Sequence, residues 1–89
     1  MTIDRWKKFT KSQQLLTIGA EFMRANVWQR RDKEKFLLAL ERALQLIDFS
    51  ISDSKWKDSL GMLLGFRDIV AEFYTFKRTD NILILYYAL

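Results

Sequence analysis

The chain has 89 residues and a formal net charge of +4, and it contains no His, no Cys, no Pro and only 3 Gly. Most protein metal sites use His or Cys, and most general bases and activated nucleophiles depend on His, so this composition excludes most catalytic chemistry. We therefore expect a protein that is not an enzyme, with no cofactor, no metal and no small-molecule substrate.

The same composition predicts an all-α chain, because Pro and Gly are the main helix breakers. A chain of this length forms one domain, here residues 1–89. The absence of Cys fits a reducing compartment, and residues 1–11 are too polar and basic for a signal peptide. No run approaches the ~20 apolar residues of a membrane span. We expect a cytoplasmic protein without a membrane partner.

The first elements are an arm and a long helix. Residues 1–9 form an N-terminal arm, with room for one helical turn. Thr10 and Gln13 have the spacing of a capping box, so the first main helix begins there and runs to about Gln29. A basic turn follows, and Asp32 within it is the expected N-cap of the second main helix.

The second main helix is expected to end near Phe49 or Ser50, and the third spans about residues 54–76. Residues 82–89 form an apolar C-terminal segment. Its β-branched and aromatic residues suit a strand, but no other strand is available, which favours a short helix. Short turns between helices of similar length predict an antiparallel up-down helical bundle of three main helices plus a short fourth C-terminal segment.

A helical wheel predicts the face of each main helix that enters the core. In the first helix the apolar face comprises Leu15, Leu16, Gly19, Ala20, Phe22, Met23 and Val27. In the second it comprises Phe36, Leu37, Leu40, Ala43, Leu44 and Ile47, and in the third Trp56, Leu60, Leu63, Leu64, Val70, Phe73 and Tyr74.

Arg67 lies at the centre of the apolar face predicted for the third helix. A charge there is costly unless it is paired, so we predict a buried structural charge paired with Glu41 or Asp48, or one whose head reaches the bundle end. In the alternative, Arg67 reaches a ligand or a second subunit. Replacement of Arg67 by Ala is expected to destabilise the fold.

Two further stripes are candidate protein interfaces. The first helix carries Thr17, Glu21, Arg24 and Trp28 away from its predicted core face, and the second carries Leu38, Arg42, Gln45 and Phe49. The spacing of Arg24 and Trp28 allows stacking, and both residue types are enriched in interface hot spots. The predicted interface residues are Arg24, Trp28, Leu38, Arg42 and Phe49. In the alternative, other parts of the chain cover these stripes.

Basic residues flank the first main helix in two clusters. The first comprises Arg5, Lys7, Lys8 and Lys11, and the second Arg30, Arg31, Lys33 and Lys35. Such clusters can bind phosphate groups, but a straight helix places them ~30 Å apart, which argues against one compact patch. A solvated charged face is the alternative interpretation.

Two stretches, LTIGAEFMRANVWQ over residues 16–29 and LERALQLID over residues 40–48, resemble a group of small, uncharacterised bacterial helical-bundle proteins. The resemblance implies a bacterial or phage-like cytoplasmic origin and carries no activity and no site.

The leading hypothesis is a non-enzymatic protein–protein interaction or assembly module, either a homo-oligomer or a small accessory subunit of a larger complex. It rests on the surplus of aromatic and apolar surface, with 7 Phe, 3 Trp and 3 Tyr in a short chain. The alternative is a nucleic-acid-binding accessory protein that uses the basic arm and the first turn between helices.

Overall fold

The structure is a computed structural model that describes residues 1–89 and contains helices but no strand. Its α-helices are α1 (Ile3–Lys7), α2 (Lys11–Trp28), α3 (Lys33–Ile51), α4 (Leu60–Tyr74) and α5 (Leu83–Tyr87), and a 3-10 helix, Ser54–Ser59, precedes α4. Helix α3 packs against α2, α4 and α1, and α5 packs against α2. The prediction of an all-α chain is confirmed. None of the helices combines the length and apolar character needed to cross a bilayer.

Local capping determines where α2 and α3 begin. The Thr10 hydroxyl accepts from the Gln13 backbone N–H, while the Gln13 side chain accepts from the Thr10 N–H, so the predicted capping box forms. The Asp32 carboxylate accepts from the Lys35 N–H at 3.1 Å, as expected for an N-cap. The C-terminal run also forms a short helix, α5. Ile82, directly before this helix, and Leu85 within it are buried.

The N-terminal arm is part of the core. Trp6 of α1 is fully buried, and its indole N–H donates to the Ser50 hydroxyl of α3 at 2.9 Å. The Ser50 hydroxyl in turn donates to the Leu46 carbonyl at 2.9 Å. Because every polar atom in this chain of bonds has a partner, the indole is buried without an unsatisfied donor.

A buried polar cluster joins α1, α2 and the 3-10 helix at one end of the molecule. The Gln14 amide nitrogen donates to the Trp6 carbonyl at 2.9 Å and to the Asp53 carboxylate at 3.2 Å, while its oxygen accepts from the Trp56 indole. Burial alone would raise the pKa of Asp53, but hydrogen bonds from Lys55 and Gln14 outweigh it and hold that pKa below its ordinary value.

The third main helix differs from the prediction at its start. Residues 54–59 form a 3-10 helix rather than the first turns of an α-helix. The Asp53 side chain caps it by accepting from the Lys55 N–H at 3.2 Å, and this tight turn places Trp56 in the core, where its indole reaches Gln14.

The core face predicted for α2 is only partly right, because Gly19 and Phe22 are buried but Ala20 is exposed. Leu16, Met23 and Val27 are exposed, whereas the buried residues of α2 are Gln14, Ile18, Gly19, Glu21, Phe22 and Ala25. Compared with the prediction, α2 is rotated about its axis so that a different face is buried, and this is possible because a fully hydrogen-bonded Gln14 can be buried at little cost. The predicted faces of α3 and α4 agree better, and their main discrepancy is Leu64, which is also exposed.

Helix α4 ends at Tyr74, and two residues later Phe76 has a left-handed backbone conformation with φ of 58°. This conformation costs a non-glycine residue ~1–2 kcal/mol. Backbone bonds from Phe76 to Phe73 at 3.2 Å and from Lys77 to Glu72 at 2.9 Å close the helix end. The Phe76 ring then lies 6.5 Å from that of Phe36, which links the end of α4 to the start of α3.

Candidate functional site

The rotation of α2 leaves an apolar strip in solvent. We call it the α2 strip, and it consists of Leu16, Ala20, Met23 and Val27. The spacing of these residues places them in one line along the helix. Leu16 is 74% exposed, which is unusual for a large apolar side chain in the middle of a long helix. No other element of the chain covers this line.

Helix α5 widens the apolar surface beside the α2 strip. Tyr86 and Leu89 pack beside Gly19, where an added Cβ would lie 3.2 Å from Leu89 and 3.4 Å from Tyr86. Tyr87 is 79% exposed, and its ring meets that of Tyr86 edge-on at 5.6 Å. A groove of about 600 Å³ lies between the two helices, and we call it the α2/α5 groove; it is lined by Ser12, Leu15, Leu16, Gly19, Ala20, Met23, Tyr86, Tyr87 and Leu89.

Gln29 holds the chain that leads into α5. Its amide nitrogen donates to the Asp80 carbonyl at 2.7 Å, and its amide oxygen accepts from the Ile82 N–H at 2.9 Å. This bidentate contact fixes the turn between α4 and α5, residues 77–81, which we call the third turn, against the end of α2. The tyrosines of α5 are therefore held beside the α2 strip by backbone-directed bonds as well as by the burial of Ile82 and Leu85.

A second groove lies on the other flank of the α2 strip, between α2 and α3. This α2/α3 groove has a volume of about 310 Å³ and is lined by Arg24, Trp28, Lys35, Leu38, Ala39 and Arg42. It brings together four of the predicted interface residues: Arg24, Trp28, Leu38 and Arg42. The fifth, Phe49, lies elsewhere on α3 and packs half-buried against the core.

The predicted contact between Arg24 and Trp28 is replaced by two other contacts. Arg24 pairs with Glu21, one turn earlier in α2, and the Lys35 ammonium lies 4.2 Å from the centroid of the Trp28 ring. Trp28 is also partly buried and packs against the core. Glu21 is buried, and one of its carboxylate oxygens has no hydrogen-bond partner.

The two predicted basic clusters remain at opposite ends of α2, and several of their members already contact aromatic rings. Lys11 lies 5.1 Å from the Trp56 ring and Lys33 lies 4.8 Å from the Phe76 ring. At the far end, Arg30 and Arg31 line a polar pocket of about 370 Å³ with Asn81 of the third turn. The remaining basic residues predicted to bind nucleic acid, Arg5, Lys7, Lys8 and Lys35, are also exposed.

The prediction of a buried charge at Arg67 is wrong. Its Nε atom pairs with the Asp48 carboxylate at 2.6 Å, but the Arg67 side chain is 44% exposed and that of Asp48 is 48% exposed. The helical wheel places Arg67 on the apolar face of α4, but that face is wider than the part of the helix that the core buries. Asp48 is one of the two partners considered, and the pair lies at the surface between α3 and α4.

Sequence reasoning missed the α2/α5 groove because it assigned the α2 strip to the core. The spacing of the α2 strip does indicate an apolar line along the helix, but spacing does not tell whether that line packs in the core or faces solvent. No group of three acidic side chains has an arrangement that could hold a metal ion. The polar groups of Gln14, Ser50 and the Trp56 indole are all engaged in internal hydrogen bonds, so this cluster is structural.

The chain matches no protein-family model, and comparisons with curated proteins and with solved structures found no match.

Proposed function

We propose that this protein is a non-enzymatic assembly module whose copies associate through the α2 strip and the α2/α5 groove. The observation that carries the proposal is the exposure of Leu16 and Tyr87, two large apolar side chains that flank one groove. Contiguous exposed apolar surface of this kind is typical of interaction sites, because soluble monomers seldom leave it uncovered.

The charge of this surface favours a second copy of the chain as the partner. None of the residues that line the α2/α5 groove or form the α2 strip carries a charged side chain. In a two-fold interface, a patch on one copy faces the same patch on the other copy, so a charged patch would place like charges opposite each other. An apolar patch without charged side chains avoids this cost and also gains from the burial of Leu16, Met23 and the tyrosines.

The scaffold behind this surface is inferred to be an antiparallel up-down arrangement of α2, α3 and α4. Three contacts support it: Gln14 near the start of α2 reaches Asp53 beyond the end of α3, Arg67 of α4 reaches Asp48 near the end of α3, and Tyr74 reaches Glu41. Such a scaffold presents α2 as a rigid edge. We further propose a cytoplasmic and bacterial setting, supported by the absence of Cys and by the resemblance described above.

Binding to nucleic acid is a second candidate function, favoured by one feature of the fold. Gln29 bonds to the segment that precedes α5, and Arg78 of that segment lines one pocket with Arg30, which adds a cation to the second basic cluster. Against this, Arg78 is paired with carboxylates of the same region. Self-assembly therefore has the stronger support.

The test is the molar mass in solution, measured by light scattering after size exclusion at low and high salt. The wild type is expected to be a dimer or larger at both salt concentrations, because an apolar interface is not screened by salt. Leu16→Glu should give a monomer, since it places a carboxylate in the interface.

Leu64→Glu provides the matched control. Leu64 is an exposed leucine of α4 outside the α2/α5 groove, so this variant should assemble like the wild type. A wild type that is monomeric at the highest attainable concentration contradicts the proposal. A mass that increases only when a short single-stranded DNA is added at low salt would favour the nucleic-acid alternative.

A further inference from the structure

The α2/α3 groove has a chemistry different from that of the α2/α5 groove. Its apolar lining residues are Trp28, Leu38 and Ala39, and its other three lining residues are cations, Arg24, Lys35 and Arg42. We propose that this groove binds an acidic amphipathic helix of a partner protein. An apolar side chain of that helix lies against Trp28 and Leu38, and carboxylates on either side of it pair with the three cations. The site is separate from the self-assembly surface and does not depend on it.

The charges of the groove determine the chemistry of this partner. Lys35 and Arg42 form no ion pair within the chain, and Arg24 pairs only with Glu21. Three cations and one carboxylate leave a local charge of +2. Arg24 also retains N–H donors beyond its bond to Glu21, because a guanidinium has five. The complementary ligand therefore carries two or more carboxylates around an apolar group.

The apolar part of the groove favours a side chain of a peptide over a nucleic-acid base. Trp28 is partly buried against the core, and the Lys35 ammonium lies over its ring at 4.2 Å from the centroid, which leaves less of the ring free for the stacking of a base. Leu38 is 48% exposed and offers only apolar contact. The volume of about 310 Å³ lies at the small end of ligand pockets, as suits one inserted side chain.

The experiment uses a fluorescein-labelled helical peptide with Leu at i, i+3 and i+7 and Glu at the flanking positions, titrated with the full chain and followed by anisotropy. A matched peptide has Gln at every Glu position. The Glu peptide is expected to bind at least about tenfold more tightly than the Gln peptide, as for the loss of charge-assisted hydrogen bonds. The NMR signal of the Trp28 indole should shift, while those of Trp6 and Trp56, whose N–H groups are bonded internally, should not.

Variants of exposed residues locate the site without disturbing the fold. Arg42→Glu is expected to weaken binding of the Glu peptide at least about tenfold, and Leu38→Ala about three- to tenfold. Lys57→Glu is the control, because it makes the same change of charge at an exposed position of the 3-10 helix outside the groove. It should change the affinity less than about twofold.

Four results would overturn the proposal. These are no binding of the Glu peptide, equal binding of the Glu and Gln peptides, equal effects of Arg42→Glu and Lys57→Glu, or displacement of the peptide by a short single-stranded DNA that itself shifts the Trp28 indole signal. The last result would assign the groove to nucleic acid.

Discussion

Replacing Gln14 with Met tests whether the buried polar cluster holds α1, α2 and the 3-10 helix together. Gln14 is fully buried, and its amide bonds to the Trp6 carbonyl, the Asp53 carboxylate and the Trp56 indole. Met has a similar length and no branch, so the substitution removes the hydrogen bonds and leaves the volume of the side chain nearly unchanged.

The expected loss of unfolding free energy follows from the groups left behind. The Trp56 indole N–H becomes a buried donor without a partner, at about 1–3 kcal/mol, and the Trp6 carbonyl loses its side-chain donor. Asp53 keeps its bonds from Lys55. Allowing for the more favourable burial of Met, we expect a net loss of about 2–4 kcal/mol, compared with a total stability of roughly 4–13 kcal/mol for a chain of this length.

The assay is urea denaturation followed by far-UV circular dichroism, at equal protein concentrations because assembly itself stabilises the folded state. Gln45→Met is the control, since Gln45 is an exposed residue of α3 and its replacement should stay within about 0.5 kcal/mol of the wild type. Equal stability of the two variants would refute the view that Gln14 is a structural centre of the fold.

Three further predictions concern single positions. Gly65→Ala should raise the free energy of unfolding by about 1 kcal/mol, because nothing lies within 4 Å of the added Cβ. Gly19→Ala should bring no such gain, because its methyl group would lie 3.2 Å from the Leu89 side chain. Thermal melting of the two variants tests this difference. The Asp53 carboxyl has a pKa below its ordinary value of 3.8, so the stability that it contributes is complete above pH 3.8 and is lost as the pH falls further. In urea titrations at several pH values, Asp53→Asn should therefore reduce the dependence of the unfolding free energy on pH in the acid range. Arg67→Met should cost less than about 1 kcal/mol in the same assay because its pair with Asp48 is solvent-exposed, and a larger loss would restore the interpretation of Arg67 as a buried charge.

The parts of the fold that depend on near neighbours in the chain could be predicted from the sequence. The capping box of Thr10 and Gln13 and the N-cap at Asp32 involve residues three apart, so both helix starts were within reach of pattern reasoning. The buried face of α3 was largely predictable too, since Leu40 and Ala43 lie on a regular apolar stripe.

The orientation of α2 depends on distant partners and could not be predicted in this way. Burial of Gln14 requires Asp53 and Trp56, which lie 39 and 42 residues further along the chain. On hydrophobicity alone, Leu16 would be placed in the core in preference to Gln14. This preference is reversed only when Asp53 and Trp56 are in place to bond to the Gln14 amide. The error in the core face and the failure to see the α2 strip therefore have one cause.

The α2/α3 groove was predicted in part. The sequence pattern predicts Arg24, Trp28, Leu38 and Arg42 as interface residues, and in the structure these four residues line one groove. It assigned Lys35 to a basic cluster instead, because the contact of Lys35 with the Trp28 ring crosses the turn between α2 and α3.

The most direct test of self-assembly through α2 is cross-linking from a single introduced cysteine, since the natural chain has none. Ala20→Cys places a thiol on the α2 strip, and Leu64→Cys places one on an exposed part of α4 outside it. With a short bifunctional maleimide, the Ala20→Cys protein should form covalent dimers, and a second substitution, Leu16→Glu, should abolish them. Equal cross-linking of the two cysteine variants, or none from Ala20→Cys, would contradict assembly through the α2 strip.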